Sequence, residues 1–263
     1  MRVLVTFAVE AEFAHWRKLR KFRYIDYLGL RLWRTDFGNH EITVLLTGVG
    51  EQAAAQAMDL MLRMADDEKY FDVCISSGLA GALDALLVPG DIVAPRMVRA
   101  VFRRADVNYE SLTVDEKLHQ FALSRGAKAT ECLFSSDRLL LTTQQKQDCG
   151  CSTKAQLVDM ESFEIVKEAC AWGARTVIVR AVSDAAGEDL PINFSVALTE
   201  KSQISVGKIL LQLMKKPQVL PALIRFGKQS RLAAEALANY LDSYISGLCD
   251  VHSQESAIRA AAK

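Results

Sequence analysis

Short apolar, β-branched runs alternate with helical patterns along this chain, and that alternation limits its fold more than any other feature. The clearest run is Val177-Ile178-Val179-Arg180-Ala181-Val182. It reads as a buried strand, apolar apart from one Arg. It ends in Ser183-Asp184, and an open α/β sheet places its ligands beyond the carboxyl ends of its strands. A second such edge lies upstream. There the apolar residues Leu157 to Met160 meet Glu161 and a helical pattern from Ser162 to Trp172, closed by Gly173. Two carboxylates at two strand ends, one preceded by Ser, suit a site that handles a sugar and a base.

The rest of the chain repeats the alternation. Arg2 to Phe7 reads as a strand and Val9 to Leu19 as a helix, followed by a hairpin of Leu30 to Thr35 and Ile42 to Thr47 around Gly38-Asn39. Glu51 to Ala65 reads as a helix after the Gly48-Val49-Gly50 turn, and Asp72 to Ser76, Asp91 to Ala94 and Thr130 to Phe134 as further strands. The pattern predicts an α/β domain, a three-layer sandwich with a mixed central sheet. Residues 1–213 form this domain. From Lys215 the character changes: Lys215, Lys216, Arg225, Lys228 and Arg231 bring positive charge with no acid among them. Leu232, Leu237, Tyr240, Leu241, Tyr244, Ile245 and Leu248 then recur at helical spacing. Residues 214–248 are therefore expected to be an amphipathic helical extension, and 249–263 a frayed tail.

Composition excludes some classes of function. The 263 residues are half hydrophobic, enough for one full core. With 32 basic and 32 acidic side chains the formal charge is zero, which argues against bulk nucleic-acid binding. No run approaches the roughly eighteen apolar residues of a membrane span. The N-terminus enters a strand directly, unlike a signal or transit peptide, and a cytoplasmic location is expected. The six cysteines are scattered and read as free thiols. Cys149-Gly150-Cys151 lacks ligand spacing and the four histidines form no cluster, so neither a metal nor a cofactor is expected.

Several segments together resemble the nucleoside phosphorylase and nucleosidase family, most closely its methylthioadenosine/S-adenosylhomocysteine nucleosidase branch. Ala8-Val9-Glu10-Ala11-Glu12 is similar to the acidic loop after that branch's first strand, and Thr47-Gly48-Val49-Gly50 to its glycine turn. Ser77-Gly78-Leu79-Ala80-Gly81 with Val88-Pro89-Gly90-Asp91-Ile92-Val93 resembles its central loop and next strand. Val158-Asp159-Met160-Glu161 and Arg180-Ala181-Val182-Ser183-Asp184 resemble its two signature motifs, and Phe194 follows ten residues after the aspartate. Each motif alone is weak. Their joint order across about residues 1–213 makes the resemblance specific.

The resemblance implies cleavage of an N-glycosidic bond in a purine nucleoside carrying a 5′ substituent. That reaction builds positive charge on the sugar and negative charge on the departing base. Asp184, held by Ser183 and kept protonated by burial, would donate to the purine N7. Glu161 would accept the two ribose hydroxyls and favour the developing cation, and Glu12 would take a proton from the attacking water. Gly81, Leu139, Leu140 and Met160 would contact the nucleoside, with Val9, Val49 and Phe194 on an apolar 5′ side. A glutamate stands where the family's phosphorylases bind phosphate, and a carboxylate facing a phosphate dianion is repulsive. Hydrolysis is therefore favoured, although Arg180, Arg96, Arg103 and Arg104 keep phosphorolysis open as the second reading.

Blander readings stand beside these. Alone, Asp184 reads as a helix cap, Glu161 as a helix-start carboxylate, Glu12 as a solvated acid, and Gly48 and Gly50 as turn residues. The sequence also departs from the branch. Leu79 replaces a small hydroxyl residue, Leu139 replaces an aromatic that stacks on adenine, and Val101 to Thr113 lacks the usual His and Asp pattern. With the basic, amphipathic C-terminal segment, these departures are similar to the hopanoid-associated branch, which acts on an adenosyl lipid. Futalosine hydrolase is a third relative, and a nucleoside-binding sensor is the non-enzyme alternative. The family further implies a homodimer, with Val101-Phe102 as a contact, and the C-terminal segment suggests a peripheral membrane contact.

Overall fold

The computed structural model describes residues 1–63, 71–102, 108–192 and 217–261. Ten strands form one mixed sheet. In chain order they are β1 (Arg2–Phe7), β2 (Arg23–Tyr27), β3 (Leu30–Phe37), β4 (His40–Leu46), β5 (Val73–Ala82), β6 (Ile92–Phe102), β7 (Asn108–Thr113), β8 (Lys128–Ser135), β9 (Leu157–Asp159) and β10 (Arg175–Asp184). The spatial order is β10-β6-β8-β9-β5-β1-β4-β3-β2, with β7 on β6. β10 also pairs parallel with β5, so the strands from β5 round to β10 close into a ring. β1 runs parallel to both β4 and β5, which puts the carboxyl ends of β1, β4, β5 and β10 on one side.

Alternation along each strand builds the layers, because successive side chains point to opposite faces. Val3, Val5 and Phe7 of β1, Val73 and Ile75 of β5, and Val177, Val179 and Ala181 of β10 share one apolar cluster. Leu4 and Cys74 point the other way, into a second. The first cluster is completed by α1 (Glu10–Leu19), α3 (Glu116–Ser124) and α6 (Leu220–Ala261); the second by α2 (Glu51–Arg63) and α5 (Ser162–Ala171). Helices thus cover both sides of the mixed sheet, the expected three-layer arrangement. α4 (Thr143–Thr153) lies outside both clusters.

The C-terminal segment is wedged into this core. Leu237, Leu241, Tyr244, Ile245 and Leu248 of α6 are buried in the first cluster, whereas Leu232 is exposed. Polar contacts fix its position: the Asp242 carboxylate accepts from the Trp16 indole at 3.2 Å and from Arg20 at 2.7 and 2.9 Å. The Tyr240 and Tyr244 hydroxyls donate to the carbonyls of Ala122 and Leu118 at 2.7 and 3.1 Å. At about 1.5–3 kcal/mol for each large apolar side chain buried, the stripe stabilises the whole domain. The helical backbone continues to Ala261, through the stretch read from sequence as a frayed tail. Among the described residues, no helix is long and apolar enough to cross a membrane.

Candidate active site

One cavity of about 580 Å³ lies beyond the carboxyl ends of β1, β5, β9 and β10. It is lined by Glu12, Glu161, Ser183 and Asp184, and also by Val9, Val49, Gly81, Leu139, Leu140 and Met160. These residues come from six separate stretches of sequence and meet only through the pairing of the strands that carry or precede them. Phe194, which the sequence also assigned, lies outside the described residues.

Glu12 sits at the third position of α1 and is 8% exposed. Its Oε2 accepts the backbone N–H groups of Ala8 and Val9 at 2.9 and 3.2 Å, and its Oε1 that of Leu79 at 3.0 Å. A glutamate at this position commonly reaches back to cap its own helix; here it also bridges to β5, which a solvated acid would not do. Burial pushes its carboxyl up, while the three N–H donors and the Arg180 charge pull it down. Gly78 makes room for this corner. Its φ of +140° suits glycine, and a Cβ there would collide with Arg180 Nη1 and come within 3.2 Å of both Glu12 oxygens.

Glu161 is the N-cap residue of α5, the helix-start position read from sequence, but its side chain is turned to another use. Asp159 caps the helix, its Oδ2 accepting the Ser162 N–H at 3.1 Å, whereas the Glu161 side chain makes no capping bond. Glu161 Oε1 instead accepts the Gly50 N–H at 2.8 Å. The glycine turn after β4 therefore aims this carboxylate into the cavity. Burial first, and the neighbouring Asp159 charge second, push the Glu161 carboxyl up to about 8 against the pull of Arg180.

Arg180 shares strand parity with Ile178 and Val182 and is 1% exposed. Its guanidinium binds Asp159 at 2.5 Å, Ser162 Oγ at 2.7 Å, Ser76 Oγ at 3.2 Å and the Ser77 carbonyl. These contacts occupy it as a structural counter-charge. Arg96, also considered for an anion, pairs with Glu116 on the surface at 3.6 Å. Arg103 and Arg104 lie outside the described residues.

Asp184 ends β10 and is 5% exposed. Its Oδ1 accepts from Ser183 Oγ at 2.6 Å. Gly81 lies against it, and a Cβ there would stand 3.1 Å from Oδ2 and 3.3 Å from Val158, close enough to crowd the acid by a few tenths of an ångström. Lys146 of α4 also reaches this acid, placing its ammonium 2.5 Å from Oδ2. Sequence reasoning missed Lys146. α4 is polar and shows no apolar periodicity, although Thr142 and Gln145 form a capping box that marks its start. A lysine on such a helix reads as solvated until the tertiary fold buries it.

α6 supplies the remaining wall of the cavity through Phe226, Gly227, Ser230, Arg231 and Ala234, facing Ala11, Ala14 and His15 of α1. Among the described residues, no group of three or more His, Cys, Asp or Glu side chains could hold a metal ion.

The chain is 28% identical over 207 residues to a 5′-methylthioadenosine/S-adenosylhomocysteine nucleosidase of Glaesserella parasuis, covering 72% of this chain and 87% of that protein. It is 26% identical over 242 residues to the Bacillus pumilus protein of the same name, covering 83% and 100%. Its fold matches S-adenosylhomocysteine nucleosidase of Streptococcus pyogenes with a TM-score of 0.72 at 17% identity, over 94% and 97% of the two chains. It also matches futalosine hydrolase of Helicobacter pylori with a TM-score of 0.71 at 16% identity, over 94% and 98%. A family model described as the phosphorylase superfamily matches residues 2–215, and the chain belongs to that family.

Proposed function

We propose that this protein is a purine nucleosidase that hydrolyses the N-glycosidic bond of a 5′-substituted adenosine, releasing the free purine and a ribose derivative. The observation that carries this reading is the seat of Glu12. Its carboxylate takes the backbone donors of Ala8, Val9 and Leu79 in the corner nearest Arg180. A phosphate dianion attacking the sugar would need such donors, and would meet an acid already bonded to them. Water needs only an acceptor for its proton, which Glu12 supplies.

The remaining roles follow from position. Glu161 accepts the ribose hydroxyls and, in its ionised form, favours the cationic sugar of the transition state. Asp184, with Ser183 on its other oxygen, serves the departing purine. Leu139, Leu140 and Met160 form the apolar bed for the nucleoside, and Val9 and Val49 the 5′ side. No side chain is assigned as a nucleophile, so displacement by water is direct. Adenine release from a panel of adenosine nucleosides, followed by a coupled absorbance assay with and without phosphate, tests the reading. Tight binding without release would instead make the chain a sensor.

A second reading concerns the 5′ substituent. α6 gives the cavity an apolar wall at Phe226 and Ala234, which favours a longer group than methylthio, such as that of an adenosyl lipid or of futalosine. Leu220, Ile224 and Leu232 remain exposed on α6 beside Lys228 and Arg231, so a peripheral contact with an anionic membrane is proposed for this end of the helix. A homodimer is proposed through the exposed Val101 region of β6, because two-fold dimers are the commonest soluble assembly. Light scattering that reports a monomer at micromolar concentration would refute it.

A further inference from the structure

Lys146 is 1% exposed, an unusual position for a lysine. Its Nζ lies 2.5 Å from Asp184 Oδ2, 2.8 Å from the Ala185 carbonyl and 2.8 Å from the Glu188 carbonyl. An ammonium has three hydrogens, and each has an acceptor here. All three acceptors belong to the segment that carries the candidate acid. That segment is also held from elsewhere. Asp189 accepts the Thr143 N–H and hydroxyl at 2.6 and 2.9 Å, and Glu188 binds Arg225 at 3.0 Å and Gln229 at 3.2 Å. A loop anchored in these ways does not need a buried charge to hold it, and burying a charge is costly unless it is paired. The other Asp184 oxygen meets the Ser183 hydroxyl at 2.6 Å, whose single hydrogen also has the Ala80 carbonyl within reach at 3.2 Å. It is therefore the ammonium at 2.5 Å that argues for a carboxylate in the resting site. An acid in that state has no proton of its own to give.

We propose that Lys146 is the positioning residue and proton store of Asp184, keeping it as a carboxylate between turnovers and supplying the proton that the departing purine receives. When the C1′–N9 bond breaks, its electron pair goes to the base. Lys146 Nζ gives a proton to Asp184 as Asp184 passes one to the base, while water bonds to C1′ and loses its proton to Glu12. The pair changes from ammonium and carboxylate to amine and carboxylate, and regains one proton from solvent after the base leaves. The proton transfer rests on the nucleosidase reading; the charge state of the pair does not.

The test uses Lys146→Met, Lys146→Gln and Lys146→Arg, so that failure of one variant to fold leaves the others. Infrared difference spectra of each protein against its Asp184→Asn counterpart report whether Asp184 is ionised, with no substrate present. Wild type should show the carboxylate stretch at neutral pH, and Lys146→Met the carboxylic acid stretch. Turnover is then compared on 5′-methylthioadenosine and on 4-nitrophenyl β-ribofuranoside, whose leaving group departs without a proton. Lys146→Met and Lys146→Gln should lose about 10²-fold or more on the nucleoside and at least tenfold less than that on the nitrophenyl riboside. Lys146→Arg should recover part of the nucleoside activity. A protonated Asp184 in wild type, or equal losses on both substrates, overturns the proposal. If wild type cleaves neither substrate, the nucleosidase reading fails, and the infrared result alone upholds or overturns the ion pair.

Discussion

Glu161→Gln should stabilise the fold while it removes the ribose contact, and the gain should grow with pH. Burial and the neighbouring Asp159 raise the Glu161 carboxyl from the ordinary 4.5 to about 8. Between those values the folded protein holds a proton that the unfolded chain releases. Stability therefore falls as pH rises through that window. At about 1.4 kcal/mol per pH unit, the carboxyl costs nothing below pH 4.5, about 1.4 kcal/mol at pH 5.5 and at most about 5 kcal/mol above pH 8. Glutamine keeps the shape, carries no charge and escapes this loss. Urea unfolding of wild type and variant at pH 5.5 and pH 8.5 measures the difference, and titrating groups remote from Glu161 cancel because both proteins share them. The variant's advantage should widen by roughly 3 kcal/mol between the two pH values. An advantage that stays constant or shrinks would refute the buried-acid account of Glu161.

Three further substitutions separate the roles of the site. Asp184→Asn should leave the fold intact and cut nucleoside turnover by about 10²-fold or more; near-normal turnover would remove it from the chemistry. Glu12→Gln should abolish turnover yet still bind nucleoside by calorimetry, because the sugar and base contacts lie on other strands. Leu241→Ala, wholly buried where α6 enters the core, should cost about 2–5 kcal/mol in chemical denaturation. A loss under 1 kcal/mol would mean that α6 is a dispensable appendage.

Much of the fold could be read from the chain, because buried strands and amphipathic helices carry their period in sequence. β1 and β10 are nearly continuous apolar runs and were recognisable for that reason. β5 was recognisable only to Ser76, because Ser77 to Gly81, read as a loop, carry no apolar run although they continue the strand. β2 was not recognisable. It is a polar edge strand with four of its five residues exposed, so no alternation marks it. β7 and α4 escaped for the same physical reason. The apolar stripe of α6 signalled that some surface must cover it, but a stripe does not say which. Trp16, Ala122 and Leu118, the residues that receive it, lie more than a hundred positions away. At the site, the carboxylates were legible because they follow strands. Their supporting groups were not: Asp159 takes the capping duty that frees Glu161, and Lys146 reaches Asp184 from a helix with no visible pattern. Such partners depend on how distant elements are juxtaposed, which local sequence does not encode.

Whether water or phosphate attacks the sugar is decided by which oxygen the product carries. Purified protein is given 5′-methylthioadenosine in ¹⁸O-labelled water containing inorganic phosphate at a large excess over substrate, and the sugar product is reduced at once and weighed by mass spectrometry. Free adenine and a sugar bearing one labelled oxygen at C1 should form, at a rate indifferent to phosphate. An unlabelled sugar 1-phosphate, accumulating in proportion to phosphate, would contradict it.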